Sequence, residues 1–450
     1  MKSFWLLSLR NLGRNRKRNF ATGSAIALGF AGILMLAAYQ YRAVNYARVY
    51  TVYVVHTGHL AIFAPGGLEK FAYEPLQHSL SADDQAALVR VLKEEPEVER
   101  FEPQIRGQGL IGNGCASFPF IAQGYDPAAD KALREHPQVR QWMPHFSYLL
   151  RGRGIWEFEE NMGAILLSQG LALTLGKTKL HDEVAPDSEI RLPDCTQGKA
   201  QAALDANVQL MAGAWAGNVS AVDGEVVGLF TTGFQESDNS GIVTSVSHLQ
   251  KLFGTDRVTQ FAVWLKNPEK ITEVSARIEA NLSSQGKTFD VLRWDDAKLS
   301  PYYSGTAGFL RTLLIAGSLV LATIVTLSVL NSSTMTILER SQEIGMYRSM
   351  GFRRAHLRHL YVQESLWLSL LSLFTGAILG LLAIQGVNAL KILYHPPGVA
   401  GGLYLFLVLP WAPAIASAAL ILLLVSLATY FAVSSRLRPS PADLLGGTLR

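Results

Sequence analysis

Long apolar runs without charged residues dominate the hydrophobic pattern of this chain. Residues 20–41, 312–338 and 365–390 contain no Asp, Glu, Lys or Arg, and residues 411–436 contain none before the last position. Each run reaches the roughly 20 residues that an α-helix needs to cross a hydrocarbon layer about 30 Å thick. The pattern therefore predicts four membrane-spanning helices, which we place at 20–41, 309–338, 362–386 and 411–433.

The residues between the first two predicted spans are patterned like a folded domain. Stretches rich in β-branched and aromatic residues predict strands, and Ser81, followed by apolar residues at helical spacing, predicts a capped helix. The predicted strands lie at 49–55, 59–63, 163–167, 226–231 and 288–293, and a second helix at 271–282. The polar stretch 185–207 is expected to be an exposed loop. The expected fold is a four-helix membrane protein with a large α+β domain over residues 42–308, outside the cytoplasm, between helices 1 and 2.

The basic residues predict the orientation of the chain in the membrane. They cluster at 1–19, 339–361 and 434–450, whereas the loop 387–410 holds only Lys391. Because basic loops stay on the cytoplasmic side, both termini and residues 339–361 are expected in the cytoplasm. Residues 42–308 hold 24 basic and 32 acidic residues, a net charge of −8, and the remainder carries +12, which gives the chain's +4. The excess of basic residues thus reflects the orientation of the chain in the membrane, and no nucleic-acid partner is expected.

The two cysteines, Cys115 and Cys195, both lie in the predicted outer domain. An oxidising compartment permits a disulfide there. Two free thiols are the alternative, because a separation of 80 residues does not show that the side chains meet.

Two features of the third span concern helix packing. Gly376 and Gly380 form a small-xxx-small pair, which favours close approach of another helix, although a lipid-facing helix can carry the same spacing. Glu364 lies at the span boundary, where we expect it to pair with Arg340 or Arg348.

No arrangement of residues typical of catalysis is visible. The stretch GLALTLGKTK at 170–179 is similar to a phosphate-binding loop, but five residues separate its glycines where the motif requires four. The histidine pairs His56/His59 and His356/His359 are expected to be surface residues, not metal ligands. We therefore expect no catalytic residue, no metal site and no cofactor bound by this chain.

The stretch ERSQEIGMYRSMGFRR, at 339–354, combines paired acids with apolar residues and two glycines directly after a predicted span. An amphipathic segment lying on lipid headgroups would explain its arginines and aromatic residues, but an anionic leaflet would repel the acids. Docking on a protein partner is the preferred interpretation. The candidate contact residues are Glu339, Arg340, Glu343, Ile344, Gly345, Tyr347, Arg348 and Gly351.

The layout and several motifs resemble the MacB/FtsX-type permeases of ABC transporters, and within them the lipoprotein-releasing LolC/LolE group. The similar motifs are SLRNLGRNRKRNFAT at 8–22, TGHLAIF at 57–63, GYDP at 124–127, AILLSQGLALTLG at 164–176, VVGLFTTGFQESD at 226–238 and ERSQEIGMYRSMGFRRAHLRHLYVQES at 339–365. The last is the most specific, since it follows the family's Glu-Arg-x-x-Glu-Ile-Gly-x-x-Arg-x-x-Gly pattern.

The resemblance implies a permease of the bacterial inner membrane whose segment 339–361 couples to a cytoplasmic ATPase dimer. A second permease chain, identical or different, would complete the unit, and ATP would be used by the partner ATPase. Motion of the outer domains would move lipoprotein or lipid-like cargo at the outer side of the membrane, with membrane lipid and a periplasmic carrier or adaptor as further partners. The alternatives are MacB-like efflux, FtsX-like signalling to a cell-wall hydrolase, and a membrane-anchored sensor or enzyme.

Overall fold

The computed structural model describes residues 16–144, 146–159, 162–177, 179–184, 195, 205–234, 236–394 and 403–437. The chain divides into two compact units. One, the helical unit, comprises residues 1–44, 306–392 and 405–450, and the other, the α+β unit, comprises residues 45–305 and 393–404.

Helices are distributed over both units. In chain order they are α1 (Arg16–Val49), α2 (Gly67–Lys70), α3 (Ala82–Glu94), α4 (Pro127–Arg134), α5 (Pro137–Trp142), α6 (Gln169–Leu175), α7 (Val246–Phe253), α8 (Ile271–Ser284), α9 (Pro301–Glu339), α10 (Ser341–Ser349), α11 (Arg354–Leu390) and α12 (Trp411–Arg436).

The strands are shorter and lie almost entirely between α1 and α9. They are β1 (Leu60–Phe63), β2 (Val98–Gly112), β3 (Ser117–Tyr125), β4 (Leu149–Gly152), β5 (Ala164–Ser168), β6 (Asn207–Gly213), β7 (Val219–Phe230), β8 (Gly241–Ser245), β9 (Gln260–Leu265), β10 (Asp290–Arg293), β11 (Leu393–Tyr394) and β12 (Leu403–Tyr404).

Four helices, α1, α9, α11 and α12, are long and apolar enough to cross a membrane. α9 has 39 residues and α11 has 37, which at about 1.5 Å per residue exceeds the thickness of a hydrocarbon layer. The spans predicted at 309–338 and 362–386 lie within these two helices, which extend beyond the predicted spans at both ends. A charge-free run marks the apolar part of a helix, whereas the backbone hydrogen bonds continue into the polar flanks.

The four long helices pack around a shared apolar core. Buried members of this core include Ile26 and Phe30 of α1, Val325 of α9, Leu373 of α11 and Ile421 of α12. Because each helix contributes side chains, the helical unit is a bundle with a common interior.

The strand predicted at 49–55 is wrong. α1 continues to Val49 and is followed by one π-helical turn, Tyr50–Val54, in which four of the five residues are buried. The β-branched and aromatic residues of this stretch favour strands in isolation. Here that preference is outweighed, because the turn continues a helix that is already formed and its side chains pack in the interior.

One end of the α+β unit is a split βαβ arrangement. β1 pairs with β9 and β10, and β9 pairs with β2, all antiparallel. The order β10-β1-β9-β2, with α3 connecting β1 to β2 and α8 connecting β9 to β10, is that of the ferredoxin-like motif. Ser81 caps α3 through a capping box with Asp84, which confirms the predicted helix start.

The long strand β2 extends the sheet into a second lobe. It pairs antiparallel with β3 and β6 beyond Gln104, and the strand order continues as β3-β8-β5-β7-β4. The pairs β3–β8 and β5–β7 are parallel. A fully buried core that includes Ile111, Phe120, Ile165 and Leu171 holds this lobe together.

Two stretches, 185–207 and 387–410, were predicted as loops. Of the stretch 185–207, only Cys195 and residues 205–207 are within the described part of the chain, and β6 begins at Asn207. The predicted loop 387–410 begins inside α11 and includes the short hairpin of β11 and β12.

The stretch similar to a phosphate-binding loop has a structural explanation. It forms the α6 helix after strand β5, and Gly176 caps this helix with φ 69°. A Cβ atom on Gly170 would lie 2.4 Å from Asn239 Oδ1. The two glycines therefore serve a helix end and a close backbone approach.

Candidate functional site

The segment between α9 and α11 is a short helix between two breaks. α9 ends at Glu339, and Arg340 leaves helical geometry with φ −103° and ψ 17° before α10 begins at Ser341. Arg353 is extended, with φ −71° and ψ 146°, before α11 begins at Arg354. The coupling segment predicted at 339–361 therefore consists of two parts. The first contains α10, and the last eight residues, 354–361, are the beginning of α11.

Gly351 ends α10 in a Schellman motif. Its φ is +91°, and its backbone N–H donates to Arg348 O at 3.1 Å, while Phe352 N–H donates to Tyr347 O at 3.1 Å. The rings of Tyr347 and Phe352 meet edge to face at 5.7 Å, which is the apolar contact that accompanies this cap. A side chain at position 351 would strain the turn, so the glycine sets the direction in which the chain leaves α10.

One face of α10 is anchored to the ends of the membrane-crossing helices. Ile344 is 1% exposed and packs in a cluster with Ile337 of α9, Leu357 and Tyr361 of α11, and Val433 of α12. Gly345 is also buried. These two candidate contact residues thus fix α10 to the bundle and do not form its outer surface.

The other face of α10 and the turn after it expose four large apolar side chains. Met346 is 48% exposed, Tyr347 38%, Met350 60% and Phe352 39%. We call these four residues the apolar docking surface. Large apolar side chains that are concentrated within seven residues and exposed at the surface are typical of a protein interaction site.

The charged candidates are held by contacts near the same end of the bundle. Arg18 Nη1 donates to Glu339 Oε2 at 2.5 Å, and Arg340 Nη1 lies 3.8 Å from Glu364 Oε2. The structure thus places Arg340, one of the two partners expected for Glu364, next to this carboxylate. Arg348 Nη1 lies 3.5 Å from the backbone oxygen of Leu437, just beyond α12.

Gly376 and Gly380 of α11 lie against α1. A Cβ atom on Gly376 would lie 2.5 Å from Ala27 O, and one on Gly380 would lie 3.0 Å from Leu34 Cδ1 and 3.5 Å from Ala31 Cα. The small-xxx-small pair thus lies where two helix backbones approach closely. Of the two interpretations that the sequence left open, the structure favours helix packing over lipid exposure.

The structure joins Cys115 to Cys195 by a disulfide with a Cα–Cα distance of 5.2 Å. Asn113 Oδ1 accepts hydrogen bonds from the backbone N–H groups of Cys115 and Ala116 and so holds the turn that carries Cys115. Of the two states that the sequence left open, a disulfide or two free thiols, the structure has the disulfide.

The prediction that His56 and His59 are surface residues is wrong. His56 is fully buried, with Nδ1 3.0 Å from Glu102 Oε1 and Nε2 3.0 Å from Asp130 Oδ1. Burial alone would lower the pKa of His56, but the two carboxylates more than offset this and raise it. Asp130 also pairs with Arg134 Nε at 2.7 Å. Glu102 lies on β2 and Asp130 on α4, both far from His56 in the sequence, so a local pattern does not reveal this group.

His59 has the opposite electrostatic setting. Its Nδ1 accepts a hydrogen bond from Leu265 N–H at 3.0 Å, which requires an unprotonated nitrogen, and burial lowers the pKa of His59 to about 4. The other pair, His356 and His359, is exposed, as predicted. Within the described residues, no group of three or more His, Cys, Asp or Glu side chains is arranged to hold a metal ion.

Sequence reasoning left Met346, Met350 and Phe352 out of the candidate contacts. Helical spacing contained a signal for two of them. If Ile344 faces the bundle, Met346 falls on the opposite side at about 100° per residue, and Met350 lies four residues further along the same face.

Comparison with known proteins agrees with this architecture. Residues 315–441 match the family model for the FtsX-like permease C-terminal domain. The chain is 26% identical over 168 residues to an uncharacterized ABC transporter permease of Methanocaldococcus jannaschii, covering 37% of this chain and 42% of the relative. It is 24% identical to the macrolide export ATP-binding/permease protein MacB of Bdellovibrio bacteriovorus, covering 36% and 26%.

A third relative is the pyoverdine export ATP-binding/permease protein PvdT of Pseudomonas entomophila, 27% identical over 36% of this chain and 26% of the relative. The chain thus spans well under half the length of each of these relatives. Among solved structures, the extracellular domain of the ABC-type transporter YknZ from Gram-positive bacteria aligns with a TM-score of 0.29 at 14% identity, covering 52% of this chain and 98% of that domain. The periplasmic region of MacB from Actinobacillus actinomycetemcomitans gives 0.32 at 15% identity, covering 52% and 88%.

The family match covers α9 from residue 315, all of α10 and α11, and α12, which are the elements that build and anchor the candidate site. Four helices able to cross a membrane and a large α+β unit between the first two complete the architecture. Residues 315–441 thus match the FtsX-like permease C-terminal domain, and part of the chain is similar to ABC transporter permeases that include MacB and PvdT.

Proposed function

We propose that this chain is the permease subunit of an ABC transporter and that its apolar docking surface binds a separate cytoplasmic ATPase. One observation carries the proposal: α10 exposes four large apolar side chains while Ile344, on its other side, is buried against the ends of three long helices. A displacement of α10 by a partner would therefore be transmitted to α9, α11 and α12. The basic residues around the segment favour the cytoplasmic side, where ATP is available.

The assembly that we propose contains two ATPase chains and two permease chains, identical or different, in the bacterial inner membrane with both permease termini in the cytoplasm. The ATPase chains would hydrolyse ATP, and this chain would transmit their motion to the α+β unit on the outer side without catalysing a reaction itself. The family resemblance of the segment 339–365 implies this division of labour. The MacB and PvdT relatives are each named an ATP-binding/permease protein, so their names place the two functions in one protein.

For the cargo we propose lipoprotein or a lipid-like molecule moved at the outer side of the membrane, as the resemblance to the LolC/LolE group implies. MacB-like export is a second candidate, because two of the relatives are named for macrolide and pyoverdine export. FtsX-like signalling to a cell-wall hydrolase is a third candidate function, which the same architecture could serve. Recruitment of a periplasmic carrier or adaptor belongs to the proposal as well.

Co-purification of the ATPase with tagged permease variants tests the docking. Met350→Asp places a charge in the apolar docking surface, and Glu343→Lys reverses a charge on α10. Since a central interface residue contributes about 2 kcal/mol or more, each change should reduce ATPase recovery by about 30-fold at limiting concentration. The matched controls Val219→Asp and Glu279→Lys make the same changes at exposed positions of the α+β unit and should leave recovery unchanged. Normal ATPase recovery with both α10 variants, when these are inserted in the membrane, would refute the docking surface.

The cargo needs a separate experiment. Depletion of the permease should leave lipoproteins in the inner membrane if it releases them, with fractionated membranes as the readout. Unchanged lipoprotein distribution together with reduced export of a small molecule or peptide would favour the MacB-like candidate.

A further inference from the structure

A cavity of about 260 Å³ lies within the α+β unit. Its lining combines the π-helical turn after α1, strands of the sheet, and the first turn of α9. Aromatic side chains form a continuous wall: the Tyr50 and Phe234 rings are 5.6 Å apart, and the Phe234 and Tyr302 rings 4.4 Å apart. Tyr148 and Phe230 complete the aromatic lining, with ring centroids 5.0 Å apart.

Arg106 is the single charged residue among the described residues that line this cavity. Its backbone is fixed in the sheet, since its N–H donates to Thr259 Oγ1 at 2.9 Å. Its guanidinium has no hydrogen bond or ion pair with any described residue, and its Nε is buried without a partner. Burial lowers the pKa of Arg106, but a guanidinium remains charged at neutral pH. Because Arg106 is half-buried and has no counter-ion among the described residues, the site favours an anion.

A second hydrogen-bond donor faces the same space. The side chain of Gln123 lines the cavity, and its Oε1 accepts the hydrogen bond of the Tyr125 hydroxyl. Its amide nitrogen has no partner among the described residues. Gln123 is half-buried, so this nitrogen is accessible to a ligand in the cavity. Arg106 and Gln123 therefore present unused donors next to an aromatic wall.

We propose that this cavity binds an anionic amphiphile, with its phosphate or carboxylate head on Arg106 and Gln123 and its apolar chain against Tyr50, Phe234 and Tyr302. A guanidinium pairs with such heads through two parallel hydrogen bonds. The combination of an apolar lining and a few converging polar groups is that of a small-molecule site. This inference goes beyond the proposed function, because binding at this cavity requires neither the ATPase nor the apolar docking surface.

Calorimetric titration of the full-length protein in neutral phosphatidylcholine nanodiscs tests the inference, with empty discs as the background. The probes are dodecyl phosphate, dodecanol and inorganic phosphate. Dodecyl phosphate should bind at least tenfold more tightly than either of the other two, since each lacks one half of the recognised chemistry. Equal binding of dodecanol would overturn the role of the charge, and equal binding of inorganic phosphate would reduce the site to one for a simple anion and overturn the proposal.

Variants assign the binding to the cavity. Arg106→Gln should weaken dodecyl phosphate binding by about tenfold or more, as expected for loss of a charged hydrogen-bond partner, whereas the control Arg90→Gln, at an exposed position of α3, should leave it unchanged. Unchanged binding in a folded Arg106→Gln variant would overturn the proposal.

A second variant keeps the test decisive if Arg106→Gln does not fold. Tyr302 is 55% exposed, so Tyr302→Ala should fold and bind dodecyl phosphate several-fold more weakly. Undiminished binding would contradict the role of the aromatic wall.

Nanodiscs containing phosphatidylglycerol distinguish two sources of the ligand. Competition with dodecyl phosphate supports a membrane lipid, and binding without competition supports a free amphiphile.

Discussion

Arg340 Nη1 lies 3.8 Å from Glu364 Oε2, with the two side chains only 8% and 12% exposed. The pair connects the break between α9 and α10 to the cytoplasmic end proposed for α11. Because neither charge is well solvated, the opposite charge of the other residue stabilises each of them.

Replacing one member of this pair should cost more than replacing both. Arg340→Met removes the cation next to Glu364 and should lower the free energy of unfolding by about 2 kcal/mol. The double variant Arg340→Met/Glu364→Met should recover part of that loss. Thermal unfolding of the four proteins of the cycle measures the coupling, and strictly additive effects would show that the two residues do not interact.

The close approach of α11 to α1 predicts a size limit at Gly376. Gly376→Leu forces a side chain into the backbone of Ala27 and should destabilise the bundle by about 3 kcal/mol. Gly386→Leu is the matched control, since a Cβ atom there meets nothing within 4 Å. The measurement is the fraction of monodisperse protein after heating in detergent, and equal loss for both variants would contradict the packing role.

The buried His56 predicts a loss of stability toward high pH. Its pKa is raised in the folded state by Glu102 and Asp130 against the effect of burial, so its contribution is complete below the unfolded pKa of about 6.5. That contribution is lost as the pH rises through the higher folded value. Denaturant titrations followed by tryptophan fluorescence should show this decline, and His56→Gln should remove it. His78→Gln is the control, and an unaltered pH dependence in His56→Gln would refute the assignment.

His59 predicts the opposite dependence on the acidic side. Its folded pKa of about 4 lies below the unfolded value, so the unfolded chain binds the proton first. Stability should therefore fall as the pH decreases from about 6.5 to 4. The same titrations report it, and a His59→Asn variant with an undiminished acid loss would contradict the effect.

The disulfide closes a loop of 80 residues in sequence. In the chain-entropy description such a link stabilises the folded state by about 4 kcal/mol. Cys115→Ser/Cys195→Ser should lower the thermal midpoint of the α+β unit, and reductant should lower that of the wild type but leave the double variant unaffected. Identical mobility of wild type and double variant on non-reducing gels would argue against the bond.

Much of the architecture was predictable because it depends on local properties of the sequence. Spans such as 312–338 follow from the length of uncharged apolar runs, and the α3 cap follows from Ser81 and Asp84, which are three residues apart. The turn Tyr50–Val54 was mispredicted because a short β-branched run fits both a strand and the continuation of a helix.

The sequence by itself determined the number of helices able to cross a membrane and the position of the α+β unit along the chain, and it predicted a segment that binds a partner. These properties depend on the composition of continuous stretches of sequence, so contacts between distant residues do not alter them. The tertiary structure alone decided that Ile344 anchors α10 while Met350 is exposed, that two carboxylates enclose His56, and that Arg106 lies unpaired in an aromatic cavity. Each of these depends on residues that are distant along the chain and meet only when helices and strands pack.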